Sequence, residues 1–195
     1  MSRPLSATDD DIMEAAHKVL ALRGSDGFSV SEVARELSLS RAAITLRFKS
    51  AQNLKQQVLL RNAELFKGKL SNLKLEKGAA GLIEIAELIG GMTNGRQNFS
   101  DYMSKYASSV NDPDAMEIEQ QRGQILRETI LEVMPETALA PNDAADAFMA
   151  HLTGSLMNWQ GRKNVSASSF LRERTIKWLH LVGIACDDHK AAEAK

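Results

Sequence analysis

At 195 residues, 44% hydrophobic and 25% charged, the chain has enough apolar material to bury a substantial core in one or two domains. Its single cysteine, Cys186, excludes an internal disulfide framework and fits a reducing compartment. No stretch is long and apolar enough to span a bilayer, and Asp9, Asp10 and Asp11 near the start do not suit a signal peptide, so no membrane association and a cytoplasmic location are expected.

In chain order, residues 1–7 read as a mobile arm that carries one cation, Arg3. Thr8 then caps a helix whose first turn holds the three aspartates, where carboxylates favour the helix dipole. Consecutive helical positions point in different directions, which argues against a metal site there. Ile12, Ala15, Ala16, Val19 and Leu20 give this helix an inner face, and Gly24 and Gly27 allow the turn that follows.

Residues 29–48, SVSEVARELSLSRAAITLRF, have the form of a helix-turn-helix. Ser29 with Glu32 resembles a capping box, and Val33, Ala34 and Leu37 form one apolar face. Ser40 caps a second short helix in which Ile44 and Phe48 share the inward side and Arg41, Ala42, Thr45 and Arg47 stay outside. An α-helix enters a major groove when its outer face is narrow and cations flank it. Ala42 and Ala43 permit close approach, Arg41 and Arg47 carry planar donor forks, Thr45 can bond either acceptor type, and Lys49 and Lys55 add phosphate contacts. Between residues 27 and 77 there are ten Lys or Arg against four acids, a local +6 inside a net charge of −1. That is the footprint of a nucleic-acid face, although basic helices also occur for solubility alone. Pairs of short amphipathic helices are common in all-helical proteins, so the pattern by itself leaves plain packing open as well.

VARELSLSRAAITLRF followed by KSAQNLKQQVL resembles the N-terminal domain of the TetR family of bacterial transcriptional regulators over the first third of the chain. Ser40, Ile44, Phe48, Ser50 and Leu54 sit where that pattern expects them. Ser38 stands at the usual turn glycine, Thr45 at a usual tyrosine, Arg47 at a frequent tyrosine or histidine, and Ala51 at a frequent lysine. The resemblance implies an all-α protein: a helix-turn-helix DNA-binding domain over 5–66, including the start of a linking fourth helix, and a helical effector-binding and dimerisation domain over 67–195. It implies a dimeric repressor of a pseudo-palindromic operator on double-stranded DNA, released by a small-molecule effector. The alternative is a TetR-like protein governed by a protein partner or by no ligand. The DNA-contacting residues would be Ser29, Ser40, Arg41, Ala42, Ala43, Thr45, Arg47, Phe48, Lys49 and Lys55.

From Ser50 a long helix is expected to about Leu75, with a break at Lys77, Gly78 and Gly81. Further helices follow: a stripe of Leu82, Ile85, Ala86 and Ile89 ended by Gly90 and Gly91; a segment with Phe99, Tyr102, Met103 and Tyr106; a helix started by Asp112 and Pro113; one capped by Asn142; and one begun near Ser166. The last two carry small residues, Ala144, Ala147, Ser155 and Gly183, along apolar stripes. They can form a homodimer interface or an ordinary intrachain hairpin. Phe99, Met103, Tyr106, Met116, Arg122, Met157 and Trp159 are candidates to line an effector pocket, and core packing accounts equally for the apolar ones. There is no phosphate loop, nucleophile elbow or His pair at metal-ligand spacing, so neither an enzyme nor a cofactor or metal is expected.

Overall fold

The computed structural model describes residues 7–93, 99–100, 103–104, 106–107 and 110–186. The arm with Arg3, Tyr102 of the central segment and the polar tail beyond Cys186 lie outside the described residues. Among the described residues there is no strand, and the fold is all-α as expected. The main helices are α1 (Asp9–Arg23), α2 (Val30–Leu37), α3 (Arg41–Phe48), α4 (Ala51–Ser71), α5 (Ala79–Met92), α6 (Pro113–Val133), α7 (Pro141–Trp159) and α8 (Ala167–Leu181). They form two compact units, one of Met1–Lys67 with Ser100–Arg122, the other of Gly68–Phe99 with Gly123–Lys195. The division falls inside α4 and inside α6.

In the first unit, α1 begins with a complete capping box. Thr8 Oγ1 accepts from Asp11 N at 3.1 Å, and the Asp11 carboxylate accepts from Thr8 N at 2.7 Å. The Thr8 backbone N–H first, and its hydroxyl second, hold the Asp11 carboxyl below its ordinary pKa. The buried face of α1 joins Val30, Val33, Ala34, Ile44, Phe48, Leu54 and Val58 in one cluster, with Phe28, Leu37 and Leu39 packed against it. This cluster holds α1 to α4 together and fixes α3.

In the second unit, Gly78 (φ 95°) precedes α5 and donates its N–H to Val133 O at 2.7 Å. Gly90 and Gly91 do not end α5, which continues to Met92. A Cβ on Gly90 would come within 2.6 Å of the Ser168 backbone, so this glycine permits close approach to the first turn of α8. The cap of α7 also differs from expectation: the helix begins at Pro141, with Ala140 rather than Asn142 in the capping position. Ser166 caps α8, accepting from Ser169 N at 3.1 Å, and the Trp159 indole N–H donates to Val165 O at 2.9 Å across the preceding turn.

Between α7 and α8, His151 stacks on Trp178 at 5.3 Å and on Phe148 at 6.0 Å, with Nε2 3.4 Å from the hydroxyl of fully buried Thr175. Burial first, and the Arg174 charge second, push its pKa down to about 4. The unfolded chain, with an imidazole near 6.5, therefore binds a proton that the fold excludes. His151 stabilises the fold fully above about pH 6.5, and this contribution is lost as pH falls towards 4. Denaturant melts at pH 7 and pH 5 should show a loss of stability that is smaller in His151→Phe; an equal loss in both proteins would exclude His151 as its source.

Candidate nucleic-acid interface

Local hydrogen bonds set the path of the chain through the helix-turn-helix. Ser29 Oγ accepts from Glu32 N at 3.3 Å and starts α2. The expected reciprocal half of this box is replaced: the Glu32 carboxylate pairs with Arg35 at 2.8 Å and lies 3.7 Å from Arg23. Ser38 ends α2 in the left-handed region, φ 53° and ψ 35°, and the turn closes through Leu39 N to Ala34 O at 2.9 Å. Ser40 then caps α3, accepting from Ala43 N at 3.1 Å.

α3 is anchored by Ile44 and Phe48, both buried in the head cluster. At its end Lys49 has φ 67°, Ser50 N donates to Phe48 O at 2.7 Å, and Asn53 Nδ2 donates to the same oxygen at 2.8 Å. Phe48 therefore supports the surface from within instead of forming part of it. Arg41, Ala42, Thr45, Leu46, Arg47 and Lys49 are exposed, and Ala43 is half-buried. Leu46 was not among the expected site residues and is 86% exposed. Its signal in the sequence is its helical phase, opposite the two anchors.

The cations divide into two groups. Arg47 Nη1 donates to Ala7 O and lies 3.4 Å from Asp9 Oδ1, and Arg61 pairs with Asp10 at 2.9 Å. Lys55 is the clearest departure from expectation: it is 7% exposed and its ammonium pairs with Asp112, which removes it from a phosphate-contacting surface. Arg41 and Lys49 make no ion pair with the described residues.

Asp112 gathers several bonds at the start of α6. Its Oδ1 accepts from Ala115 N at 3.3 Å, Oδ2 accepts from Lys55, the Ser25 hydroxyl bonds to the carboxylate, and Gln52 Nε2 donates to neighbouring Asp114 at 2.5 Å. Burial raises the carboxyl pKa most, but the bonds from Lys55, Ala115 and Ser25 with the Lys55 charge together hold it below the ordinary value.

The candidate effector residues are divided between the two units. Phe99, Met157 and Trp159 belong to the second unit, and Met103, Tyr106, Met116 and Arg122 to the first. Met157 is exposed rather than facing an interior, and the Trp159 ring closes its own turn. Arg122 pairs with Glu119 at 3.0 Å and lies over the Phe66 ring at 4.9 Å. Within the second unit an open groove of about 560 Å³ is lined by Lys69, Leu73, Glu84, Glu87, Leu88, Gly91 and Met92, none of them an expected effector residue. Among the described residues no group of His, Cys, Asp or Glu could hold a metal, and no helix is long and apolar enough to cross a membrane.

A capped helix, a left-handed turn residue and a second capped helix anchored at i and i+4 define a helix-turn-helix protein. Residues 12–58 match the model of the bacterial regulatory proteins of the tetR family. No curated protein matches the sequence significantly. Solved structures share the fold at low identity. The regulator FadR from Bacillus subtilis, in complex with stearoyl-CoA, has a TM-score of 0.69 and 15% identity over 91% of this chain and 100% of its own. A TetR-family member from Streptomyces coelicolor has 0.66 and 18%, over 86% and 95%. A protein from Saccharomonospora viridis in complex with choline has 0.68 and 20%, over 88% and 94%.

Two substitutions test the frame of the site. Ser38→Gly should relieve the left-handed strain and raise stability by up to about 1 kcal/mol, less the added freedom of the unfolded chain; a destabilised variant in two-state denaturation would show that no strain is stored there. Asp112→Ala should destabilise by roughly 3–5 kcal/mol by leaving a buried ammonium unpaired, and adding Lys55→Met should restore much of the loss. A single variant as stable as the parent would mean that Lys55 reaches solvent without it.

Proposed function

We propose that the chain is a dimeric transcriptional repressor that acts in the cytoplasm, binds a pseudo-palindromic operator through α3, and is released by a small-molecule effector. The observation that carries the reading is the outer face of α3, held outward by Ile44 and Phe48 with Arg41 and Lys49 outside any ion pair among the described residues. Arg41 at the first turn is the base reader and Lys49 a phosphate contact. Ala42 and Ala43 admit the groove edge, and Thr45, Ser29 and Ser40 bring hydroxyls to it. Arg47 contributes after exchanging Asp9 for a phosphate. In functional terms the DNA-binding part is 5–66 and the regulatory part 67–195.

The dimer forms through α7 and α8. Ala147, Ala150, Gly154 and Met157 are exposed along one face of α7 at spacings of three and four, and a Cβ on Gly154 would meet nothing within 4 Å. Ala144 and Ser155 are buried in the chain's own core, so they do not belong to that face. Stearoyl-CoA and choline in two proteins of the same fold are chemically unlike, so the likeness fixes no effector class. The exposure of Met157 and the engagement of Trp159 in its own turn favour, as a second reading, control by a protein partner or without a ligand.

Selection of duplexes from random DNA by the full chain tests the function. The enriched sequence should contain two inverted half-sites. Arg41→Ala should relax one position in each, while Lys49→Ala should weaken all sequences alike and lower the salt slope by roughly one per subunit. No enrichment at low salt would overturn the reading.

A further inference from the structure

Leu46 is 86% exposed on a helix whose other large apolar residues, Ile44 and Phe48, are buried. At roughly 100° per residue it lies opposite the midpoint of those two anchors, at the outermost point of α3. Ala42, one turn earlier, is also exposed and lies near the same line. The neighbouring cation Arg47 is directed back to Ala7 O and Asp9. The apex of the surface is therefore apolar, with Arg41 and Thr45 on one flank and Lys49 beyond its end. A basic surface with an apolar apex suits a polyanion that offers an apolar group between its charges. In the DNA major groove that group is the C5-methyl of thymine, since the other base-edge groups there are hydrogen-bond donors or acceptors.

We propose that Leu46, backed by Ala42, is a specificity-determining residue that reads a thymine C5-methyl group in each half-site. The assignment rests on the DNA-binding reading above and adds to it a chemical identity at one position. Leu46 acts by excluding water from the methyl group, without a hydrogen bond, so its preference is for the methyl and not for the remaining edge of the base.

Deoxyuridine, which differs from thymidine only in lacking that methyl, isolates the effect. In the full chain's selected site, each thymine is replaced in turn by deoxyuridine and affinity is measured at fixed salt. One replacement per half-site should weaken the parent about fourfold, the worth of one buried methyl. Leu46→Ala should bind the thymine site more weakly and show no penalty for deoxyuridine at that position, whereas Leu46→Met should retain the penalty. Thermal melting checks that both variants fold, as expected for a side chain outside the core. A half-site without thymine, or penalties identical in the parent and Leu46→Ala, would overturn the assignment and leave DNA binding standing. A variant with altered self-association and unchanged methyl sensitivity would overturn it in favour of contact with a second copy. Failure to enrich any DNA would overturn the DNA-binding reading and this assignment with it.

Discussion

The burial of Ile44 and Phe48 determines what α3 can present. An eight-residue helix is too short to persist alone, because nucleation costs more than two turns of backbone hydrogen bonds return. Its shape and direction therefore come from the cluster supplied by α1, α2 and α4. The ends are fixed separately, by the Ser40 cap and by the two donors that meet at Phe48 O. With the inner positions and both ends held, the outer positions can change without disturbing the fold. Thr45 and Arg47 can thus depart from the usual family residues while the inward pair keeps its place.

The aspartates at the start of α1 give the electrostatics a finer pattern than a charge count. Asp9 faces Arg47, Asp10 pairs with Arg61, and Asp11 completes the helix cap. Adjacent positions diverge around the helix, which is why three consecutive acids serve three separate sites. The first two partly offset cations counted in the local +6. Exposed ion pairs contribute little to stability, but they weaken the field around the arginines they hold. Arg41 and Lys49, at opposite ends of α3, stand outside these pairs among the described residues.

Much of the first unit was legible because its determinants are local. The caps at Thr8, Ser29 and Ser40 each depend on a side chain and a backbone group three residues apart, and the inner face of α3 follows from one helical spacing. Leu46 is legible by the same phase argument, although a leucine in a helix more often marks a core. Other features depend on distant chain. Lys55 looks like any helical lysine until Asp112, 57 residues later, lies beside it. Gly90 reads as a helix stop, and only its neighbour Ser168 shows that it permits close packing. Glu32 had the spacing of a capping box, but two arginines offered it stronger partners than a backbone N–H. The proposed effector site drew on apolar residues whose packing has no short-range signature, and those residues lie in different units.

The Lys55–Asp112 pair bears on how separable the helix-turn-helix head is. The family's sequence pattern ends at residue 58, yet the carboxylate that neutralises a buried cation within it is carried by the start of α6. A fragment ending near Lys67 would keep the ammonium and lose its counter-charge. An exchange of heads between regulators would meet the same difficulty, since a donor head brings its own residue at position 55 to a recipient selected for a different partner. The modular boundary in sequence and the electrostatic boundary in space are different, and recombination between relatives would be constrained by the second.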